Sequence, residues 1–303
     1  MLAISTAWNY KEDLDPARTL KDIKKTGLDA IELGYRLRHD QLEPMIALVP
    51  EMKMTVASVH SFCPVPSDKP SPRHPSNHYR LSALDESERQ SAVQWTRAAI
   101  DTAVRTGAKA VVIHAGMVET VHDISRQLIE MYKLGRNILP EFADMRAQLI
   151  KEREAAKGPF MDQVIKSIRE FMPYAQEKNI KIGLETRYYP FEIPNHQEIG
   201  ELLGLFEKQG MGYWHDMGHA EVNARLGLTP HMDYLNTYKD KLIGFHVHGV
   251  KILRDHHAPF AGDFDISLCF PFMKGRINVI ESHHYASSGD IKKAVKKLRE
   301  VLG

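Results

Sequence analysis

Short apolar runs alternate along the chain with longer stretches in which apolar residues recur at three- and four-residue spacing. The runs read as strands: Leu2–Trp8, Leu28–Leu33, Thr55–His60, Ala110–His114, Lys181–Glu185, Gly212–Asp216, Leu242–His248 and Ile277–Glu281. The stretches between them read as amphipathic helices: Pro16–Thr26, Gln41–Pro50, Ser87–Thr106, Gln163–Lys178, Gln197–Lys208, roughly His219–Tyr238, Leu268–Lys274 and Asp290–Leu302. Pro16 stands where the first helix should start, and Gly27 and Gly107 where helices should stop. Eight strands, each followed by a helix, predict an α/β fold: a single (β/α)8 TIM barrel over residues 1–303. The alternation also allows an open doubly wound sheet, but no glycine-rich phosphate loop follows the first strand.

Two segments interrupt the rhythm. Ser61–His78 carries Pro64, Pro66, Pro70, Pro72 and Pro75, so an irregular loop is expected there. Val118–Lys157 is highly charged and reads as a helical insertion after the fourth strand. The expectation for it is a solvated helical hairpin on the catalytic face or its rim, the other readings being a lid or a homo-oligomer contact.

Composition changes this picture little. Lys plus Arg (40) nearly balance Asp plus Glu (39), so no basic surface recommends a nucleic-acid partner. Two cysteines, Cys63 and Cys269, make no disulfide framework, which points to a reducing compartment. The first seven residues read as a strand rather than a secretion leader, and no apolar run reaches the length of a membrane span. A cytoplasmic protein is the expectation.

The chemistry lies at the strand ends. Six of the eight predicted strands end in His60, His114, Glu185, Asp216, His248 or Glu281. In a barrel those ends converge on one face. Six buried ionisable groups there need partners to offset desolvation, and a shared cation supplies one. Carboxylates and imidazoles without a paired thiol suit Mn²⁺, Co²⁺, Zn²⁺ or Fe²⁺; nitrogen donors make Mg²⁺ the less natural choice.

The motifs Ile182-Gly-Leu-Glu-Thr-Arg187, Trp214-His-Asp-Met-Gly-His-Ala220, Phe245-His-Val-His-Gly-Val-Lys251, Asp255-His-His-Ala-Pro-Phe-Ala-Gly-Asp-Phe-Asp265 and Val279-Ile-Glu-Ser282 follow in that order. Together they resemble the xylose-isomerase-like barrel superfamily, which includes sugar-phosphate isomerases and epimerases, inosose dehydratases and endonuclease IV. The resemblance implies one divalent ion held by Glu185, Asp216, His248 and Glu281, with Glu185 and Glu281 as the acid–base pair. In His246-Val-His248 it favours the second histidine, although residues two apart on a strand share a face. His60, His114, His219 and His256 fall where relatives contact substrate or further ions. Arg187 and Lys251, just beyond ligand strands, are candidates for a substrate phosphate, carboxylate or hydroxyl. Trp8 is a candidate pocket wall or a core aromatic.

Within that superfamily, a metal-dependent isomerase or epimerase acting on a small sugar or sugar phosphate is the first expectation. An endonuclease IV-like nuclease with a three-metal site is the second. Arg254 falls where that cluster has an aspartate, Asp255-His-His257 restoring the pair only by shifting the loop one residue against Pro259 and Gly262, and Phe260 falls where relatives commonly have glycine. Both departures favour a single ion and a carbohydrate substrate.

Overall fold

The computed structural model describes residues 1–68 and 78–303. Pro64 and Pro66 lie in irregular chain, as expected, while Pro70, Pro72 and Pro75 lie outside the described residues. Eight parallel strands close into a barrel: β1 (Leu2–Ser5), β2 (Ala30–Leu33), β3 (Thr55–His60), β4 (Ala110–Ile113), β5 (Lys181–Glu185), β6 (Met211–Asp216), β7 (Leu242–Val247) and β8 (Ile277–Ile280). Each pairs with its neighbours in sequence order, and β1 closes on β8 with Ala3 opposite Val279.

The helices are α1 (Pro16–Lys25), α2 (His39–Glu51), α3 (Glu86–Thr106), α4 (His122–Lys133), α5 (Pro140–Glu177), α6 (His196–Phe206), α7 (Met217–Arg225), α8 (His231–Tyr238), α9 (Phe270–Met273) and α10 (Ser288–Leu302). Local chemistry sets several ends. The Asp15 carboxylate accepts the amides of Ala17 and Arg18, capping α1 ahead of Pro16. Gly107 closes α3 with φ +72°, the left-handed conformation open to glycine. None of these helices is long and apolar enough to cross a membrane.

The structure departs from the sequence reading in three places. First, α5 is one helix of 38 residues, running unbroken through Gly158 and Pro159. Its N-terminal half is the predicted insertion, and its C-terminal half is the predicted barrel helix. The insertion is therefore packed rather than projecting: Leu128, Phe142, Leu149 and Arg153 are all buried. Second, the single helix expected over His219–Tyr238 is split into α7 and α8 at Gly227–Pro230. Third, the helix before β8 shrinks to a 3₁₀ turn (Ile266–Cys269) and α9.

Two cores result. The larger fills the space between strands and helices. The smaller, inside the barrel, consists of Ala3, Ala30, Ala57, Ala110, Val112, Val279 and one large side chain, Trp214. Gly183 and Gly244 make room for the indole: a Cβ on Gly244 would lie 2.3 Å from its Cζ3. Small residues around one bulky residue interdigitate to interior density. Trp8, expected as pocket wall or core, is core; its indole N–H donates to the Ala286 carbonyl at 2.8 Å.

Candidate active site

Alternation along a strand fixes what each strand presents to the barrel interior. On β6, Trp214 and Asp216 point inward, so the indole forms the floor beneath the carboxylate. Glu185 ends β5, His246 stands one residue before the end of β7, and Glu281 follows β8. Donor atoms of Glu185, Asp216, His246 and Glu281 all lie within 4.8 Å of one another, and all four residues are buried.

His246 is the centre of this group. Its Nδ1 lies 2.7 Å from Glu185 Oε1, 3.1 Å from Glu281 Oε2 and 3.7 Å from Asp216 Oδ2. On its other side Nε2 donates to Glu32 Oε2 at 3.2 Å. Glu32 is fully buried on β2 and also accepts the Ser58 hydroxyl at 2.7 Å. A carboxylate behind an imidazole fixes the tautomer and leaves the opposite nitrogen free to ligate, the arrangement found behind metal-bound histidines. Here that nitrogen faces three carboxylates. Burial alone would push the imidazole pKa down, yet Glu281, Glu32 and Glu185 hold it well above its ordinary value. The centre of the cluster calls for positive charge, and this donor set fits a divalent ion.

His246 thus meets three of the carboxylates, whereas His248, which the sequence resemblance favoured, meets Asp216 alone. His248 lies just past the end of β7. Its Nδ1 accepts the His256 amide at 3.0 Å, so its proton sits on Nε2, which donates to Asp216 at 3.0 Å. In this arrangement its contact is with Asp216.

Two further donor groups adjoin the first. His60, His114 and Glu185 bring ligand atoms together on one side. His114 Nε2 is 2.6 Å from Glu185 Oε2, and its Nδ1 has no hydrogen-bond partner among the described residues. On the other side are His219, Asp255 and His256. His219 Nε2 is 3.4 Å from Asp255 Oδ2, and the nearby Asp216 and Asp255 carboxylates push its pKa up to about 10 against burial. Of the two residues that compete for this place, Arg254, also on the cavity wall, stacks its guanidinium on the Tyr285 ring at 4.1 Å, while Asp255 is the one whose carboxylate meets His219. His256 adopts φ +54° to follow it, and Phe260 sits at φ +68°, the region that favours the glycine of relatives.

These groups line a cavity of about 520 Å³ above the Glu185–Glu281 floor. Of the predicted contacts, His60, His114, Arg187, His219 and His256 line it; Lys251 is exposed and does not. Arg187 Nη1 donates to Glu185 at 2.9 Å and Nη2 to Glu192 at 2.7 Å, which orients the carboxylate. The sequence reading passed over Glu32, Tyr35, Arg36, Tyr188, Glu192 and His283. Glu32 alone carried a readable signal, a single carboxylate inside the apolar run Ala30-Ile-Glu-Leu33.

A closed eight-stranded barrel with a carboxylate–imidazole site at the C-terminal strand ends defines the class as a TIM-barrel protein with a candidate metal centre. The chain belongs to the xylose isomerase-like TIM barrel family, whose model matches residues 20–300. Among solved structures it resembles a 3-keto-D-glucoside 4-epimerase from E. coli, with 12% identity, 99% of this chain and 98% of that chain covered, and a TM-score of 0.67. It also resembles a D-psicose 3-epimerase from Clostridium cellulolyticum H10 crystallised with D-tagatose (13%, 99% of each chain, 0.67). A D-allulose 3-epimerase from Methylomonas sp. is similar too (14%, 99% and 97%, 0.66). At these identities the likeness is one of fold. No curated protein sequence matches the chain.

Proposed function

We propose that the chain is a divalent-metal-dependent isomerase or epimerase acting on a small sugar or sugar phosphate. One observation carries the reading: two buried carboxylates, Glu185 and Glu281, both meet the His246 nitrogen, at 2.7 and 3.1 Å, at the floor of a cavity of monosaccharide scale. The sugar-epimerase structures that share the fold support the choice of substrate class. Glu185, Asp216, His246 and Glu281 would hold the ion, which supplies Lewis acidity toward a substrate carbonyl and its neighbouring hydroxyl.

The remaining work falls to side chains. One of the two glutamates removes the proton from the carbon beside the carbonyl, and the other returns a proton on the opposite face. Such general acid–base action contributes about 10²–10⁴-fold. Arg187 holds Glu185 in position through its 2.9 Å hydrogen bond to the carboxylate. His60, His114 and His219 face the cavity and are placed to contact substrate hydroxyls.

The test is exchange: incubation of the Mn²⁺-loaded protein with ketohexoses and their phosphates in D₂O, followed by NMR. The reading predicts deuterium at the carbon next to the carbonyl, lost in Glu281→Gln. Turnover with no deuterium incorporated, surviving Glu281→Gln, would replace it with a hydride shift.

A second reading has its own observation. The His219–Asp255–His256 and His60–His114–Glu185 groups flank the first, so the donors for three adjacent ions are present. That pattern favours a multi-metal phosphoester hydrolase of the endonuclease IV kind. Metal analysis near three ions per chain, with incision of abasic DNA, would select it.

A further inference from the structure

On β6 the residues that alternate with Trp214 and Asp216 point outward, toward the helices. One of them, His215, meets His231 at the start of α8 and Cys269 at the end of the 3₁₀ turn. All three are buried, and their donor atoms lie within 4.8 Å of one another. We propose that His215, His231 and Cys269 form a second metal site for a zinc-like ion, outside the barrel and separate from the carboxylate cluster.

Three features of the geometry argue for it. The first is spacing. His215 Nε2 and His231 Nε2 face each other at 3.1 Å, and Cys269 Sγ lies 3.6 Å from His231 Nε2. In a tetrahedron with Zn–N of about 2.05 Å and Zn–S of about 2.3 Å, neighbouring ligand atoms stand roughly 3.3 Å (N···N) and 3.6 Å (N···S) apart. The second is orientation. Each imidazole presents Nε2 to the centre while its Nδ1 is engaged elsewhere: His215 Nδ1 with the Tyr213 hydroxyl at 2.7 Å, His231 Nδ1 with Glu221 Oε2 at 3.2 Å. Such outer partners fix ring orientation at metal sites. The third is donor type: two imidazoles and a thiolate select Zn²⁺ or Co²⁺ over Mg²⁺, Ca²⁺ or Mn²⁺.

The competing account is a chain of hydrogen bonds from Thr186 through Tyr213, His215 and His231 to Glu221, with Cys269 as a weak bystander. It satisfies the nitrogens but gives the thiol no more than a weak donor's role. An ion uses all three. It leaves one coordination position for water or a small ligand, on the side of His231, the one member with residual exposure (7%). The site ties β6 to α8 and to the turn before α9. Because His215 precedes Asp216, it also stiffens the strand end that carries an active-site carboxylate.

Thiolate coordination is spectroscopically separable from the active site, which offers only oxygen and nitrogen. The experiment is Co²⁺ titration of the metal-depleted full-length protein, read in the near ultraviolet for thiolate-to-cobalt charge transfer. Wild type should develop the band. His246→Gln should retain it, Cys269→Ser should lose it along with about one equivalent of bound ion, and Zn²⁺ should bleach it. X-ray absorption at the zinc edge of the wild-type protein gives a check that needs no variant, with one sulfur scatterer at about 2.3 Å expected. A wild-type protein with no charge-transfer band and no zinc–sulfur scattering overturns the proposal, as does a band that survives Cys269→Ser.

Discussion

Arg153, in the N-terminal half of α5, grips the body of the barrel. Its guanidinium donates to both Glu198 carboxylate oxygens, at 2.6 and 2.8 Å, and to the Glu192 carbonyl at 2.8 Å. Glu198 is fully buried at the start of α6, where its Oε2 also accepts the Asn195 amide. Arg153→Met would leave that carboxylate buried without its partner. Breaking a buried pair from one side costs about 3–5 kcal/mol. At roughly 2.1 cal/mol/K per residue, 303 residues carry an unfolding entropy of about 0.64 kcal/mol/K, so the expected fall in Tm is about 5–8 °C. The companion variant Arg153→Met/Glu198→Gln removes the stranded charge but keeps an oxygen for the Asn195 amide. It should recover more than half of the loss. Calorimetry or thermal denaturation by circular dichroism gives both numbers. A fall below 2 °C in the single variant, or a double variant no better than the single, would refute the claim that α5 is anchored by this pair. Either result would return the insertion to the status of a solvated appendage.

Four other outcomes are expected. His248→Gln should weaken Mn²⁺ binding by about 10–100-fold, as loss of an outer partner does, and His246→Gln by more; calorimetric titration giving the reverse order would restore His248 as the donor. Gly218→Ala places a Cβ 2.1 Å from His248 Cε1, so it should mimic His248→Gln in the same titration. Arg187→Lys keeps a charge but loses the fork that joins Glu185 to Glu192, and should lower kcat by about 10²-fold with the fold intact by circular dichroism. Stripping the ion with a chelator should lower Tm: an ion at a hundredfold excess over its Kd contributes about 2.7 kcal/mol, or roughly 4 °C by the entropy above. An unchanged Tm would mean that the carboxylate cluster is held together without a cation.

The barrel was legible because its signal is repetitive. Eight apolar runs separated by amphipathic stretches leave few alternatives, and polar residues at their ends announce one reactive face. Errors arose where a local cue was overruled by packing. Gly158-Pro159 has the composition of a break, yet buried neighbours on both sides, Arg153 and Phe160, carry α5 through it. The choice between His246 and His248 could not be made from alternation, since both share a face. What favours His246 is Glu32, a residue 214 positions away that stands behind its ring. Arg254 and Asp255 pose the same problem: adjacent residues in a loop can exchange places with one backbone twist, and here the positive φ of His256 goes with Asp255 turned inward. Strand periodicity carries no information about such twists.

Trp214 has a consequence for how the molecule can be used. The indole and the ring of alanines and valines around it stopper the barrel from below, directly under the His246 ring 5.2 Å away. Among the described residues, a barrel plugged in this way offers no passage along its axis. Whatever binds above the carboxylates then arrives and departs on the face where the strands end, so entry and release share that face. Water obeys the same rule: an occupant seated on that face stands between the buried carboxylates and bulk solvent. A proton taken up by one of these carboxylates would have to leave on that face too.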